Sequence, residues 1–174
     1  GYTDVELTNN NVINLKPYRR GLGLWDNSSG PGDITALIQG NTISAATGYT
    51  GDHGIRVLGG ITGTTITQNA VSGVGLGVQM RPWNGFDPTG ATVSGNNLGG
   101  NTVGLDNLTA STVNASGNWW GSNTPAGVAG AVSGSVDYTP WLHNGTDTSG
   151  SPGFQGDFSV VDVDDDSPQT GSLG

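Results

Sequence analysis

Any chemistry in this chain must come from few groups. Five basic residues, fourteen acids and two histidines are spread over 174 positions, with no cysteine. Two segments, "LKPYRR" (15–20) and "AATGYTGDH" (45–53), bring Tyr18, Arg19, Arg20, Tyr49, Asp52 and His53. Gathered in one groove, such groups would grip an acidic polysaccharide through charge-assisted hydrogen bonds and ring stacking. The plainer alternative is an ordinary loop surface, with Arg stacked on Tyr and paired to Asp. A second pair of segments, "WDNSSGPGD" (25–33) and "RPWNGFDPTG" (81–90), brings Trp25, Asp26, Arg81, Trp83, Phe86 and Asp87. Exposed, these rings would make a shelf for a sugar. Packed down, they would only hold their own loop.

Catalysis asks for more than this. An inverting glycosidase needs two carboxylates at a workable separation, one of them kept protonated. The patterned segments are nearly free of acid, and Asp106 stands alone after its segment. A lyase or epimerase needs a base together with charge neutralisation by Arg, Lys or calcium. Arg19, Arg20, His53 and Arg56 hold parts of that, but no motif ties them together, so no catalytic residue is assigned. With two histidines and no thiol, a His- or Cys-based metal site is not expected. Asp162, Asp164, Asp165 and Asp166 offer oxygen ligands to calcium, the one cofactor considered. The run lacks the spacing of an EF-hand loop, and a solvated acidic turn is its simpler account. His143, in a polar stretch, is expected to be solvated.

The elements that would position these groups follow from composition and periodicity. Glycine supplies 32 positions, hydrophobic residues make up 33% and charged residues 11%. Few strong helix formers remain, whereas Val, Ile, Thr and Gly dominate the patterned stretches, which points to an all-β chain with many turns. Net charge is −9, and all basic residues lie within the first 81 positions. A surface of that sign repels phosphate, which argues against nucleic acid and anionic membrane as partners. No apolar run is long enough to span a bilayer. The absence of Cys fixes no compartment, but a Lys-poor chain rich in Asn, Thr, Gly and Asp suits an extracellular or cell-surface setting of the bacterial kind.

Five phrases share one form: "LTNNNVI", "LIQGNTIS", "TITQNAVS", "TVSGNNLG" and "NASGNWWG". Aligned on Asn11, Asn41, Asn69, Asn96 and Asn118, they are spaced by 30, 28, 27 and 22 residues. After each of the first four comes a second short strand with alternating apolar positions: Leu22/Leu24, Ile55/Val57, Leu76/Val78 and Val103/Leu105. That alternation marks strands with one buried face. Short strands recurring at this interval describe the coils of a parallel β-solenoid, with inward residues in columns and asparagines stacked at a bend. Ile38, Ile66 and Val93 should share one column. Asn tolerates left-handed backbone, and its amide can bond the same amide one coil away.

The units "GNTIS…GIRV" and "QNAVSG…GLGV" resemble the right-handed parallel β-helix repeats of the pectate-lyase-like superfamily. The stretch "NWWGSNTPAGVAGAVSGSVDYTPWL" (118–142) resembles the last-coil segment of bacterial surface β-helices. The resemblance covers roughly residues 5–142. It implies a right-handed parallel β-helix of about five coils with an irregular C-terminal tail. Trp119, Trp120 and Trp141, with Tyr138 and Pro140, would then close the last coil. The domain reading that goes with it is a β-helix segment over 1–142 whose N-terminal cap is missing. A linker over 143–157 and an acidic tail over 158–174 follow, the tail resembling the start of another β-helix. The function expected is a non-catalytic structural or adhesive rod. Its partners would be other segments of the same long chain or neighbouring copies. One alternative is polysaccharide binding along a loop row, and another is a fragment of a lyase, epimerase or glycoside hydrolase.

Overall fold

The computed structural model describes residues 4–27, 32, 34–48 and 50–163. In chain order the strands are β1 (Asp4–Thr8), β2 (Asn11–Leu15), β3 (Arg20–Trp25), β4 (Thr35–Gln39), β5 (Thr42–Ala45), β6 (Gly51–Leu58), β7 (Thr65–Thr67), β8 (Ala70–Ser72) and β9 (Val74–Arg81). Then come β10 (Thr92–Ser94), β11 (Val103–Asn107), β12 (Val113–Asn114), the short helix α1 (Pro125–Ala129), β13 (Val132–Ser133), β14 (Val136–Asp137), β15 (Trp141–Leu142) and β16 (Val161–Asp162).

The chain is all-β, and its strands sort into sheets by position within the repeat. Strands β1, β4, β7, β10, β12 and β14 form the first sheet. Strands β2, β5 and β8 form the second, and β3, β6, β9, β11 and β13 the third. Every pairing within these three sheets is parallel. Each of the first three turns of the repeat therefore lays one strand on each sheet in succession, and the later turns extend the first and third sheets.

The registers make the columns. Leu7, Ile38, Ile66 and Val93 are aligned across the first sheet, and Val12, Ile43 and Val71 across the second. Leu22, Ile55, Val78, Leu105 and Val132 are aligned across the third. Between the first repeat and the half-buried Val132 these side chains are almost fully buried. Each such aliphatic group contributes about 2 kcal/mol by leaving water. A low apolar fraction is enough because each strand buries one narrow face.

A row of glycines sets how closely the third sheet approaches the second. A Cβ on Gly21, Gly54 or Gly77 would lie 2.5–2.6 Å from the carbonyl oxygen of the next glycine in the row. The obstacle is backbone held in a parallel ladder, which cannot yield locally. Gly77→Ala should therefore cost about 3 kcal/mol, seen as a lowered urea midpoint with an unchanged slope.

The bend between the first and second sheets carries a continuous ladder of amides. The side chains of Asn10, Asn41, Asn69 and Asn96 each donate from Nδ2 to Oδ1 of the next asparagine, ending at Asn118, over 2.8–2.9 Å. The backbone N–H of each of those four donates to the same Oδ1. Two expectations are corrected here. The first rung is Asn10, not Asn11, because Val12 aligns with Ile43 in the interior and Asn11 falls opposite Thr42. The left-handed residue is also not the ladder asparagine but the one before it. Asn9, Gly40, Gln68, Gly95 and Gly117 all have φ between 55° and 70°.

Adjacent tryptophans point opposite ways. Trp120 turns inward over Gly104, the last of the glycine row, and is almost fully buried. Trp119 turns outward and packs on Gly99 and Gly145. Trp141 is fully buried with its ring 6.0 Å from Tyr138. Val128 of α1 belongs to the same core. Thr124 caps this helix, its hydroxyl accepting from the N–H of Gly127.

The segment expected to be a linker, 143–157, does not run free. It turns back along the stack, with Phe154 buried and its N–H donating to the Gln68 carbonyl at 2.8 Å. Gly153 lies against Gly40 and Gln68, and Phe158 against Gly95 and Gly117. This strap covers the amide-ladder bend. It ends where β16 pairs antiparallel with β15, fastened by His143 Nδ1 at 2.9 Å from Asp162 Oδ2.

Candidate functional site

The outer face of the third sheet is where polar and aromatic groups gather. In β3, β6, β9 and β11 two successive residues face inward (Gly54 and Ile55, for instance), and alternation resumes after them. Outward positions then form three rows. The first is Arg20, His53, Leu76 and Val103. The second is Gly23, Arg56, Gln79, Asp106 and Ser133, and the third is Trp25, Leu58 and Arg81. A groove of about 410 Å³ lies on this face, lined by Arg20, Gly23, Leu24, Trp25, Arg56, Leu58 and Trp83. Gly23 is its floor, the one place in the second row without a side chain.

Trp25 and Trp83 meet edge to face, with ring centroids 5.5 Å apart at 87°. Trp83 arrives from a hairpin whose tip, Asn84-Gly85, has φ of 52° and 82°. Its indole N–H donates to Asn27 Oδ1 at 3.1 Å, across two repeats. Trp25 remains 58% exposed and Trp83 36%. Both rings thus offer faces to solvent beside the arginines, with Trp83 as the groove's lip.

Arg56 is the electrostatic centre of the site. It is 7% exposed, and its Nε has no hydrogen-bond partner. Burial, and then the charges of Arg20 and Arg81, lower its pKa, with Asp52 pulling weakly the other way. Among the described residues no carboxylate lies within ion-pair distance of Arg20, Arg56 or Arg81. A cation kept desolvated between two others is a cost to the fold. Arg56→Met should therefore raise stability by about 1 kcal/mol, read as a higher thermal midpoint.

His53 stands beside Arg20 in the first row. Burial is the main influence on its imidazole and lowers its pKa, which favours the neutral form. Asp52 Oδ2 lies 2.9 Å from His53 Nδ1, and its charge pulls the imidazole pKa back upward without overcoming burial. In the second row, Gln79 Nε2 donates to Asp106 Oδ2 at 2.8 Å.

Compared with family models, with curated proteins and with solved structures, the chain matches none. The site must be read from its own geometry.

The two groupings expected from sequence are redistributed. Arg20 joins Trp25 and Trp83 in the groove. Tyr18 is 91% exposed and Arg19 is also exposed, and neither lines the groove. Tyr49 lies outside the described residues. Phe86 pairs back on Trp83 through both backbone bonds of the hairpin, and Asp87 accepts from the N–H of Ala110. Asp26 is buried beneath Trp25's strand end. Of the four acids considered for calcium, Asp162 is engaged by His143, and Asp164, Asp165 and Asp166 lie outside the described residues. Gly23, Leu58 and Arg56 had no place in the sequence-based groupings for sugar binding. The available signal was parity: each falls on the outward phase of a strand whose inward phase was already visible.

Proposed function

We propose that this chain is a segment of right-handed parallel β-helix of the pectate-lyase-like kind. It works as a stiff, non-catalytic rod in an extracellular or cell-surface protein of bacterial type, and it holds a carbohydrate in the groove of its third sheet. The observation that carries the binding role is the exposed Trp25–Trp83 pair beside Arg20 and Arg56, above the open floor at Gly23. Indole faces stack on the C–H face of a pyranose, and guanidinium forks bond its oxygens. The rod supports the site: Arg20, Trp25 and Arg56 stand on paired strands rather than on loops, so a ligand meets groups already in place. Turnover is not part of the proposal, since Asp52 faces His53 and Asp106 is taken by Gln79 in a separate row.

Gly23 allows a clean test. A Cβ there would meet only the Arg56 carbonyl oxygen, at 3.9 Å, so a larger side chain fits the fold while filling the groove. Screened on a glycan array, the wild-type chain should retain at least one saccharide, and Gly23→Leu should lose it at an unchanged thermal midpoint. Trp83→Ala should weaken the same binding about tenfold, the size of a lost stacking contact. Retention of nothing by the wild type, or equal retention by Gly23→Leu, would remove the groove from consideration.

A further inference from the structure

Charges of opposite sign are kept apart along the stack. Lys16, Arg19 and Arg20 stand on the first turn, Arg56 on the second and Arg81 on the third. Among the described residues no carboxylate lies within ion-pair distance of any of them, and the ion pairs are those of His53 and His143. The acids gather towards the other end. Beyond Phe86 there are nine aspartates and no Lys or Arg, and six of the nine fall between Asp147 and Asp166. Because the turns pile up in sequence order, this asymmetry of the sequence is an asymmetry of the rod.

Exposed apolar side chains accompany both signs. Trp25 and Trp83 line the groove of the third sheet with Leu58, next to Arg20 and Arg56. Phe158, Val160, Val161 and Val163 crowd the end of the strap, each at least 42% exposed. Val163 leads directly into Asp164, Asp165 and Asp166, which lie outside the described residues. A valine-rich strip that ends in anions complements an indole-lined groove that ends in cations.

The strip does not reach the groove of its own chain. β16 is held to β15 beside the last amide rung, where the Leu142 N–H donates to the Asn118 carbonyl. That bend belongs to the first and second sheets, and the groove lies on the third. From the fifth turn to Arg56 on the second is three strand spacings, about 14 Å along the stack alone. Asp164–Asp166, fully extended, span about 10 Å. A second copy meets no such limit.

We infer that the groove receives the strip 160–166 of a second copy, so that copies join head to tail. Valines of the strip sit against Trp25, Trp83 and Leu58, and its aspartates meet Arg20 and Arg56. The contact also brings an anion to Arg56, whose Nε is buried without a partner in the single chain. Unlike surfaces meet, so each copy keeps one of each to offer and the series stays open. This goes beyond the sugar reading and requires no sugar. A glycan in the groove would compete with the incoming strip.

Sedimentation of the full chain reads the association. At about 20 mM salt the average mass should rise with concentration past that of a dimer, and at about 500 mM it should return to the monomer, as exposed charges are screened. Arg20→Glu, at an exposed position, should weaken association about tenfold or more. The triple variant Asp164→Asn, Asp165→Asn, Asp166→Asn should do the same. Mixed in equal amounts, these two variants should form a one-to-one dimer and nothing larger, since one brings an intact strip and the other an intact groove. A wild type that stays monomeric at low salt, an association that resists salt, or a mixture without the dimer would overturn the proposal. Retention of a saccharide on the glycan array is decided separately, because no sugar enters these measurements.

Discussion

Asn69→Ala should destabilise the chain by about 4 kcal/mol, a large fraction of a typical folding free energy of about 5–15 kcal/mol. Asn69 has no exposed surface, and its side chain makes five hydrogen bonds. Nδ2 donates to Asn96 Oδ1, to the Ile38 carbonyl and to the Thr67 carbonyl. Oδ1 accepts from the backbone N–H and from Nδ2 of Asn41. Alanine leaves the Asn41 N–H without its acceptor in a dry bend, at a cost of about 1–3 kcal/mol for that group alone, and strands the Ile38 carbonyl as well. Chemical denaturation gives the number. Asn69→Asp tests the same account through its pH dependence. A carboxylate there would face two carbonyls and an amide oxygen, so the folded state holds its proton and its pKa rises above the unfolded value of about 3.9. The variant should be most stable below that value and lose stability as pH rises through the folded pKa. A loss under 1 kcal/mol for alanine, or a pH-independent aspartate variant, would mean that the ladder is decoration on a stack held by its aliphatic columns.

Trp141→Ala should cost about 4 kcal/mol, the range for deleting a large buried aromatic. Trp141 is fully buried where the stack closes, in the same core as Trp120 and Val128, and rests against Tyr138. Neither Trp120 nor Trp141 gives its indole N–H a protein acceptor. Their value is therefore in volume and not in polarity, and Trp141→Phe should lose much less than alanine does. Thermal unfolding of the pair decides this. If phenylalanine is as damaging as alanine, the indole N–H does more than the packing shows.

Much of this was legible in the sequence wherever one residue type has one cause. The recurring asparagines were visible because a short amide both donates to and accepts from its own kind while its oxygen also reaches the backbone N–H of the neighbouring rung. The first rung was misplaced because three asparagines stand together at 9–11, and only the alignment of Val12 with Ile43 chooses between them. The left-handed step before each rung was harder to see, since Asn, Gly and Gln all fill it. The groove was half legible. Trp25, Arg20 and Trp83 stood out as types, but their meeting depends on a hairpin that crosses two repeats to reach Asn27. Loop sequence carries no sign of that direction. The strap was read as a linker because "HNGTDTSGSPGFQGD" is polar and rich in glycine. Those same glycines let it lie close, as Gly153 does on Gly40 and Gln68, beside the buried Phe154.

A pile of repeats is nearly one-dimensional, and left alone it frays from whichever end is weakest. Here the returning strap is sewn lengthwise through the second to fifth turns, at Gly40, Gln68, Gly95 and Gly117. Unravelling any one of those turns from the end must first lift a thread that the others also hold. Loss of structure should then be a shared event, with the segment expected to melt as one body instead of storey by storey.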